Sequence, residues 1–271
     1  MMEEEKAVSD IPLKIHEKSG PDEGKEAVLV PFLLNEGQVH DSVLIFPGGG
    51  YNHVSVLKEG KAVAEALNGE GLNAFYLDYR VEPCRGKEFL CDAVRAVQFV
   101  RYHSRDLWSI GSKLAVMGFS AGGHLALMEA QHWQETETGS DNVSRETSAP
   151  DALILCYPVV TFSEPYAHSG SRENFLGTEN AEDAGLIEKY SAEKHIRPGF
   201  PPVFCWHCEG DASVPVRNSL MLRDALDRAG VSHKLTLYKG GAHGLGLAKD
   251  DKIISGWFAD CVSWLRVQGF N

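Results

Sequence analysis

The stretch LAVMGFSAGGHLALMEA, beginning at Leu114, sets Ser120 between Gly118 and Gly122 where an apolar, strand-like run meets a helix-period run. A serine becomes a nucleophile only when a neighbouring base takes its proton and a third group orients that base. Gly-x-Ser-x-Gly at a strand-to-helix junction suits that role. The residues two before and two after must be small for so sharp a turn. The helix start behind it offers unpaired N–H groups to a developing negative charge. A glycine-rich turn gripping a phosphate is the alternative, and it calls for a lysine in or near the turn. None occurs between Gly118 and Trp133.

The partners should follow in the order acid, then histidine, each on a loop past a strand. Asp211 stands in CEGDASVP after the run VFCWHC, and His243 stands in GGAHGLG after HKLTLY. Of the eleven histidines, His243 alone occupies a glycine-lined loop between the last strand-like run and the last helix. His207 reads as a scaffold histidine on its strand, and His124 as a support for the serine turn. His168 and His195 fall in an irregular segment, exposed or beside a substrate. Glu209 competes with Asp211 from the same loop, whereas Asp250 and Asp251 come after His243, in the wrong order. One oxyanion donor is expected from the N–H of Ala121, the residue after the serine. A second should come from FPGGGY, where glycines let backbone approach a carbonyl oxygen unhindered. The chemistry implied is acyl transfer through a covalent acyl-serine. Tyr51 and Trp206 are candidate substrate contacts, each as readily explained by core packing; Tyr166 is a weaker one.

Those residues need a scaffold, and apolar runs alternating with amphipathic segments supply an α/β pattern with a mostly parallel sheet. Strands are expected over Ala27 to Leu34, Ser42 to Gly50, Asn73 to Val81, Val203 to Cys208 and Lys234 to Tyr238, and in KLAVMGF and DALILCYPVV. Leu90, Val94, Val97 and Val100 mark one buried helical stripe. Gln134 to Pro150 reads as a surface loop. Between Thr161 and Pro202 periodicity weakens, with one helical piece near Ala184 to Tyr190. A connection that long is a lid or substrate loop. No repeat or internal linker interrupts the chain, so one domain over 1–271 is expected.

FPGGGY, LDYRV, GFSAGGHLA, GDASVPVRNS and AHGLGLA occur in the order seen in α/β-hydrolase-fold esterases. From about Leu44 to Leu247 the chain resembles the intracellular acetyl esterase and acetylxylan esterase-like group, with YPVV, HSGSRENFLG and FCWH narrowing the likeness. The resemblance implies an α/β-hydrolase fold with helices on both faces of the sheet and a small irregular insertion near the active site. It implies a serine esterase for short acyl, chiefly acetyl, esters of xylo-oligosaccharides or other sugars, needing no cofactor. Gly48 and Gly49 align with the oxyanion glycines, or Gly50 if the register moves by one. Two positions depart from the pattern. Pro47 stands where many relatives carry His, and Cys208 with Glu209 stand where relatives tend to have small or polar residues and an acid. The rivals are a peptidase of the same fold, for which no shielding domain or peptide-terminus motif is seen, and a catalytically silent binding protein. The latter has no need of Ser120, Asp211 and His243 together.

The net charge of −12 argues against nucleic acid and anionic membranes as partners. No run of apolar residues is long enough to span a bilayer. MMEEEKAVSD lacks the features of a secretory signal, and Glu3 to Glu5 reads as a solvated terminus. Six scattered cysteines suit a reducing cytoplasm rather than a disulfide scaffold. Cys205 and Cys208 have C-x-x-C spacing, yet on a strand they face opposite ways and no second pair completes a zinc site. No metal is expected.

Overall fold

Runs such as SVLIF and ALILC are apolar throughout, the composition of strands covered on both faces. In the computed structural model, residues 12–16, 26–34, 38–104 and 110–271 are described; the acidic run Glu3 to Glu5 lies outside them. The strands are β1 (Leu13–Lys14), β2 (Val28–Phe32), β3 (Ser42–Phe46), β4 (Asn73–Asp78), β5 (Leu114–Phe119), β6 (Ala152–Cys156), β7 (Val203–Cys208) and β8 (His233–Tyr238). They form one sheet in the order β1-β2-β4-β3-β5-β6-β7-β8. Pairs β1–β2 and β2–β4 are antiparallel, and the pairs from β4 through β8 are parallel. Several strands are shorter than the runs that announced them, β3 stopping at Phe46 and freeing Pro47 to Gly50 for a loop, whereas β7 keeps its expected bounds and β8 starts one residue earlier, at His233.

The helices are α1 (Ala62–Gly69), α2 (Gly86–His103), α3 (Ala121–His132), α4 (Ser169–Leu176), α5 (Ala184–Lys189), α6 (Arg217–Ala229) and α7 (Gly256–Val267). A π-helical turn, Val56–Lys61, leads into α1. Alternation along the strands divides the core in two. Leu44, Phe46, Val116, Leu153, Leu155 and Cys205 meet α2, α3 and α6 residues such as Val97, Leu125 and Leu222 on one face. Val43, Ile45, Met117, Ile154, Phe204 and Trp206 meet α1 and α7 through Val63, Leu67, Trp257 and Leu265 on the other. This is the α/β-hydrolase fold, with its sheet mostly parallel and helices on both faces. Cys205 and Cys208 sit in opposite cores, as strand alternation requires.

Two segments differ from the sequence reading. Residues 134–150 hold two short 3₁₀ turns, and Val143 and Ser148 are buried. Between Thr161 and Pro202 there are two helices rather than one. Here α4 is unannounced because SGSRENFL is poor in strong helix formers, and its N-cap is the imidazole of His168, which accepts from the Ser171 N–H at 3.1 Å. The segment is docked, not loose. Phe175 packs among Tyr51, Phe89, His124 and Tyr190, and the buried Arg172 guanidinium joins Phe162 O, Glu164 and Glu182.

Candidate active site

Every parallel strand points its C-terminal end to the same edge, where ligands bind in open α/β sheets. The loops after β3, β5, β7 and β8 bring Gly49, Ser120, Asp211 and His243 together there. Ser120 adopts φ 52°, ψ −119°, a left-handed conformation that costs a non-glycine residue roughly 1–3 kcal/mol. Its flanking glycines are sterically required. A Cβ on Gly118 would lie 2.3 Å from Gly122 O, and one on Gly122 would lie 2.0 Å from Phe46 O. Ser120 N donates to Cys156 O, while Ser120 O accepts from the N–H of Gly123, His124 and Val159. The turn is thereby fixed to β6 and to α3.

Ser120 Oγ lies 2.7 Å from His243 Nε2, and His243 Nδ1 lies 2.6 Å from Asp211 Oδ2. Because a carboxylate only accepts, Nδ1–H donates to Asp211, and the Nε2 lone pair accepts from the serine hydroxyl. Asp211 Oδ1 accepts from the N–H groups of Ser213 and Val214, both at 2.9 Å. Burial opposes the charge on Asp211. Hydrogen bonds from His207, His243 and Val214 outweigh it and hold the carboxyl well below the usual range. His207 Nε2 sits 3.4 Å from Asp211 Oδ2 and 2.9 Å from Val214 O, with Nδ1 on Ser219 Oγ. It is a scaffold for the acid loop. Glu209 is exposed and absent from this network.

The oxyanion assignment needs one correction. Gly48 N–H donates to the buried Glu59 carboxyl at 2.8 Å, so it is not available to a ligand. The N–H groups of Gly49 and Ala121 have no acceptor among the described residues. Gly49 has φ +135°, and a Cβ there would strike His53 O at 2.0 Å. Gly48 instead supplies close approach: its Cβ would lie 3.0 Å from the Ser120 Cβ.

The two aromatic candidates are also corrected. Tyr51 and Trp206 are both fully buried, leaving no surface for a substrate. Tyr51 stacks on Phe89 and donates its hydroxyl to His124 Nδ1 at 2.7 Å, while His124 Nε2–H donates to Tyr190 O. Burial lowers the His124 imidazole to about 4, so it supports the serine turn as a neutral ring. Trp206 stacks on Trp257 in the opposite core because strand alternation turns it away from the α3 face. Tyr166 is partly exposed beside Arg217. His195 bonds Glu188 O away from the cleft.

The cleft over Ser120 and His243 has a volume of about 510 Å³, and its rim carries Asn52, His53, Lys58, His168, Asn174 and Ser213. Sequence reasoning missed Asn52, His53, Lys58, Asn174 and Ser213, since polar loop residues carry no periodic signal. His168 Nδ1 accepts from Ser171 N–H, leaving Nε2 to carry its proton. Burial, then the nearby His243, push the His168 imidazole down. Asn174 Nδ2 donates to Gly50 O at 2.9 Å, fastening α4 to the loop after β3. Among the described residues no cluster of His, Cys, Asp and Glu is arranged to hold a metal ion, and no helix is long and apolar enough to cross a membrane.

A strained serine turn at the carboxyl edge of such a sheet, with histidine and aspartate arriving from later loops, belongs to the α/β-hydrolase class. Within that class, the chain belongs to the BD-FAE family, whose model matches residues 34–226. It is 36% identical to the acetyl ester-xyloside bifunctional hydrolase from Caldicellulosiruptor lactoaceticus, with a TM-score of 0.90 over 97% of both chains. An acetylxylan esterase of Xylanibacter ruminicola is 32% identical over 90% of this chain and 49% of its own length. Endo-1,4-beta-xylanase B of Butyrivibrio fibrisolvens is 33% identical over 84% of this chain and 36% of its own. The chain therefore spans about half, or less, of those two relatives.

Proposed function

We propose that this chain is a serine carboxylic-ester hydrolase for short acyl esters, with acetyl groups on xylo-oligosaccharides or related sugars as its substrates. The observation that carries the reading is the unbroken Ser120–His243–Asp211 hydrogen-bond chain opening on a cleft rimmed by polar side chains and glycines. Ser120 Oγ attacks the ester carbonyl as His243 Nε2 takes its proton. Asp211 holds the imidazole in the required tautomer and stabilises its charged form. The N–H groups of Gly49 and Ala121 receive the negative oxygen of the tetrahedral intermediate. His243 then returns the proton to the departing alcohol, and water, deprotonated by the same ring, cleaves the acyl-serine.

The cleft lining favours a small acyl group and a hydroxyl-rich alcohol. Apart from histidine it holds no aliphatic or aromatic side chain, so a long chain would find no hydrophobic side chain to pack against. The 161–202 segment serves as a docked substrate loop of one domain, contributing His168, Gly170 and Asn174. The similarity to an acetylxylan esterase and to an acetyl ester-xyloside hydrolase supports the acetylated-sugar reading. The test is release of acetic acid from acetylated xylo-oligosaccharides beside p-nitrophenyl acetate turnover, with Ser120→Ala as control. Acetate release by the wild type alone supports the proposal. Silence on every ester would return weight to a binding module.

A further inference from the structure

We infer that Glu59 is a positioning residue: it sets the loop after β3 for oxyanion binding and, through Tyr157, ties that loop to the one carrying His243. The inference rests on the esterase reading above. Glu59 is only 4% exposed, although its neighbour Leu57 in the same π-helical turn is 75% exposed. The turn thus directs a carboxyl inward and an aliphatic chain outward, the reverse of what burial energetics favour. An apolar side chain would fill the space at lower cost. What the carboxyl supplies is two directed acceptors.

Oε2 accepts from Gly48 N–H at 2.8 Å, and Oε1 accepts from the Tyr157 hydroxyl at 2.6 Å. Tyr157 Oη in turn accepts from Gly246 N–H at 2.8 Å, three residues past His243. The Tyr157 ring stands edge-on to the His243 ring at 5.1 Å between centroids, and Gly246 O is held by Trp257 Nε1. Three loops, after β3, β6 and β8, therefore meet on one buried carboxyl. Gly48 O, in the same peptide unit as the Gly49 N–H, is engaged by Ser55 N–H, so the peptide units on both sides of Gly48 are fixed. With Gly48 committed, the next N–H, that of Gly49, is left for the oxyanion. The site's donor and its base are in this way held in one register.

Glu59→Met is the sharpest test, because it nearly keeps the side chain's length while replacing two strong acceptors by a weak thioether. Gln would not serve, since its oxygen would keep the Gly48 N–H and its NH₂ would donate to the Tyr157 hydroxyl. The account predicts a kcat on p-nitrophenyl acetate lower by about 10²-fold, the scale of one disturbed oxyanion donor. KM should stay within about 3-fold, since the lost interaction is made only in the transition state. Affinity for a trifluoromethyl ketone, which forms an oxyanion on the serine, should fall by the same factor as kcat/KM. Tyr157→Phe keeps the Gly48 bond and cuts the tie to Gly246, so it should cost less, about 10-fold. Amide exchange read by NMR gives a second measure independent of turnover: Gly48 should lose protection in Glu59→Met, and Gly246 in Tyr157→Phe. A folded Glu59→Met protein with wild-type kcat, or with kcat lowered and ketone affinity unchanged, overturns the inference. If the wild type turns over no ester, the esterase reading falls. Unchanged exchange at Gly48 and Gly246 in the two variants would then remove the brace as well.

Discussion

Asp211→Asn should silence the site without disturbing its shape, because the surroundings dictate which way the new amide points. Oδ1 of Asp211 accepts two backbone N–H groups, from Ser213 and Val214, each at 2.9 Å. The asparagine oxygen must take that place. The opposite orientation would face an NH₂ against both donors and leave two N–H groups unpaired, at about 1–3 kcal/mol each. The NH₂ is therefore forced to the position of Oδ2, 2.6 Å from His243 Nδ1, where it donates. His243 Nδ1 must then accept, and its proton moves to Nε2, the atom 2.7 Å from Ser120 Oγ. A protonated Nε2 cannot take the serine proton. The expected loss is about 10⁴-fold in kcat, close to 5.4 kcal/mol of transition-state stabilisation. The assay is steady-state hydrolysis of p-nitrophenyl acetate, with circular dichroism and thermal unfolding to establish that the fold persists. A folded Asp211→Asn protein within about ten-fold of wild-type kcat would refute the assignment of the acid.

Three further outcomes are expected. Gly122→Ala places a Cβ 2.0 Å from the Phe46 carbonyl oxygen; both atoms belong to backbone, so stability should fall by about 3 kcal/mol, read by denaturant unfolding. Octanoate esters should show no gain in kcat/KM over acetate, because no aliphatic side chain and no aromatic one but histidine lines the cleft to supply the roughly 0.8 kcal/mol per buried methylene; a roughly ten-fold preference for octanoate would count against this reading. Burial raises the Glu129 carboxyl to about 8, whereas the unfolded chain releases that proton near about 4.3. The unfolded state therefore binds fewer protons across that range, and the contribution to stability falls as pH rises from 4 to 8. Glu129→Gln keeps an acceptor for the Ser148 hydroxyl and should flatten this dependence; an unchanged difference in unfolding free energy between pH 5 and pH 8 would count against it.

Much of the candidate site is legible in the sequence because each proposed catalytic residue sits just past an apolar run whose end fixes its place. Ser120, Asp211 and His243 need only strand order and the carboxyl-edge rule to be brought together. What was hidden depends on which way a side chain or peptide unit turns. Tyr51 and Trp206 lie beside informative motifs, yet an aromatic reads alike whether it faces a cleft or a core. The choice between Gly48 and Gly49 is made by Glu59, which the stretch KEGK presents as part of a solvated helical turn. Tyr157 gains meaning only once β6 is seen ending near the His243 loop. Helix α4 escaped notice because its cap is a histidine and its composition favours turns.

The most direct measurement of the central claim is the mass of the intact protein after exposure to a fluorophosphonate, followed by peptide mapping, in wild type and Ser120→Ala. The account predicts one adduct, carried by Ser120, in the wild type and none in the variant. An unlabelled wild type, or an adduct on another residue with Ser120→Ala labelling equally, would contradict it.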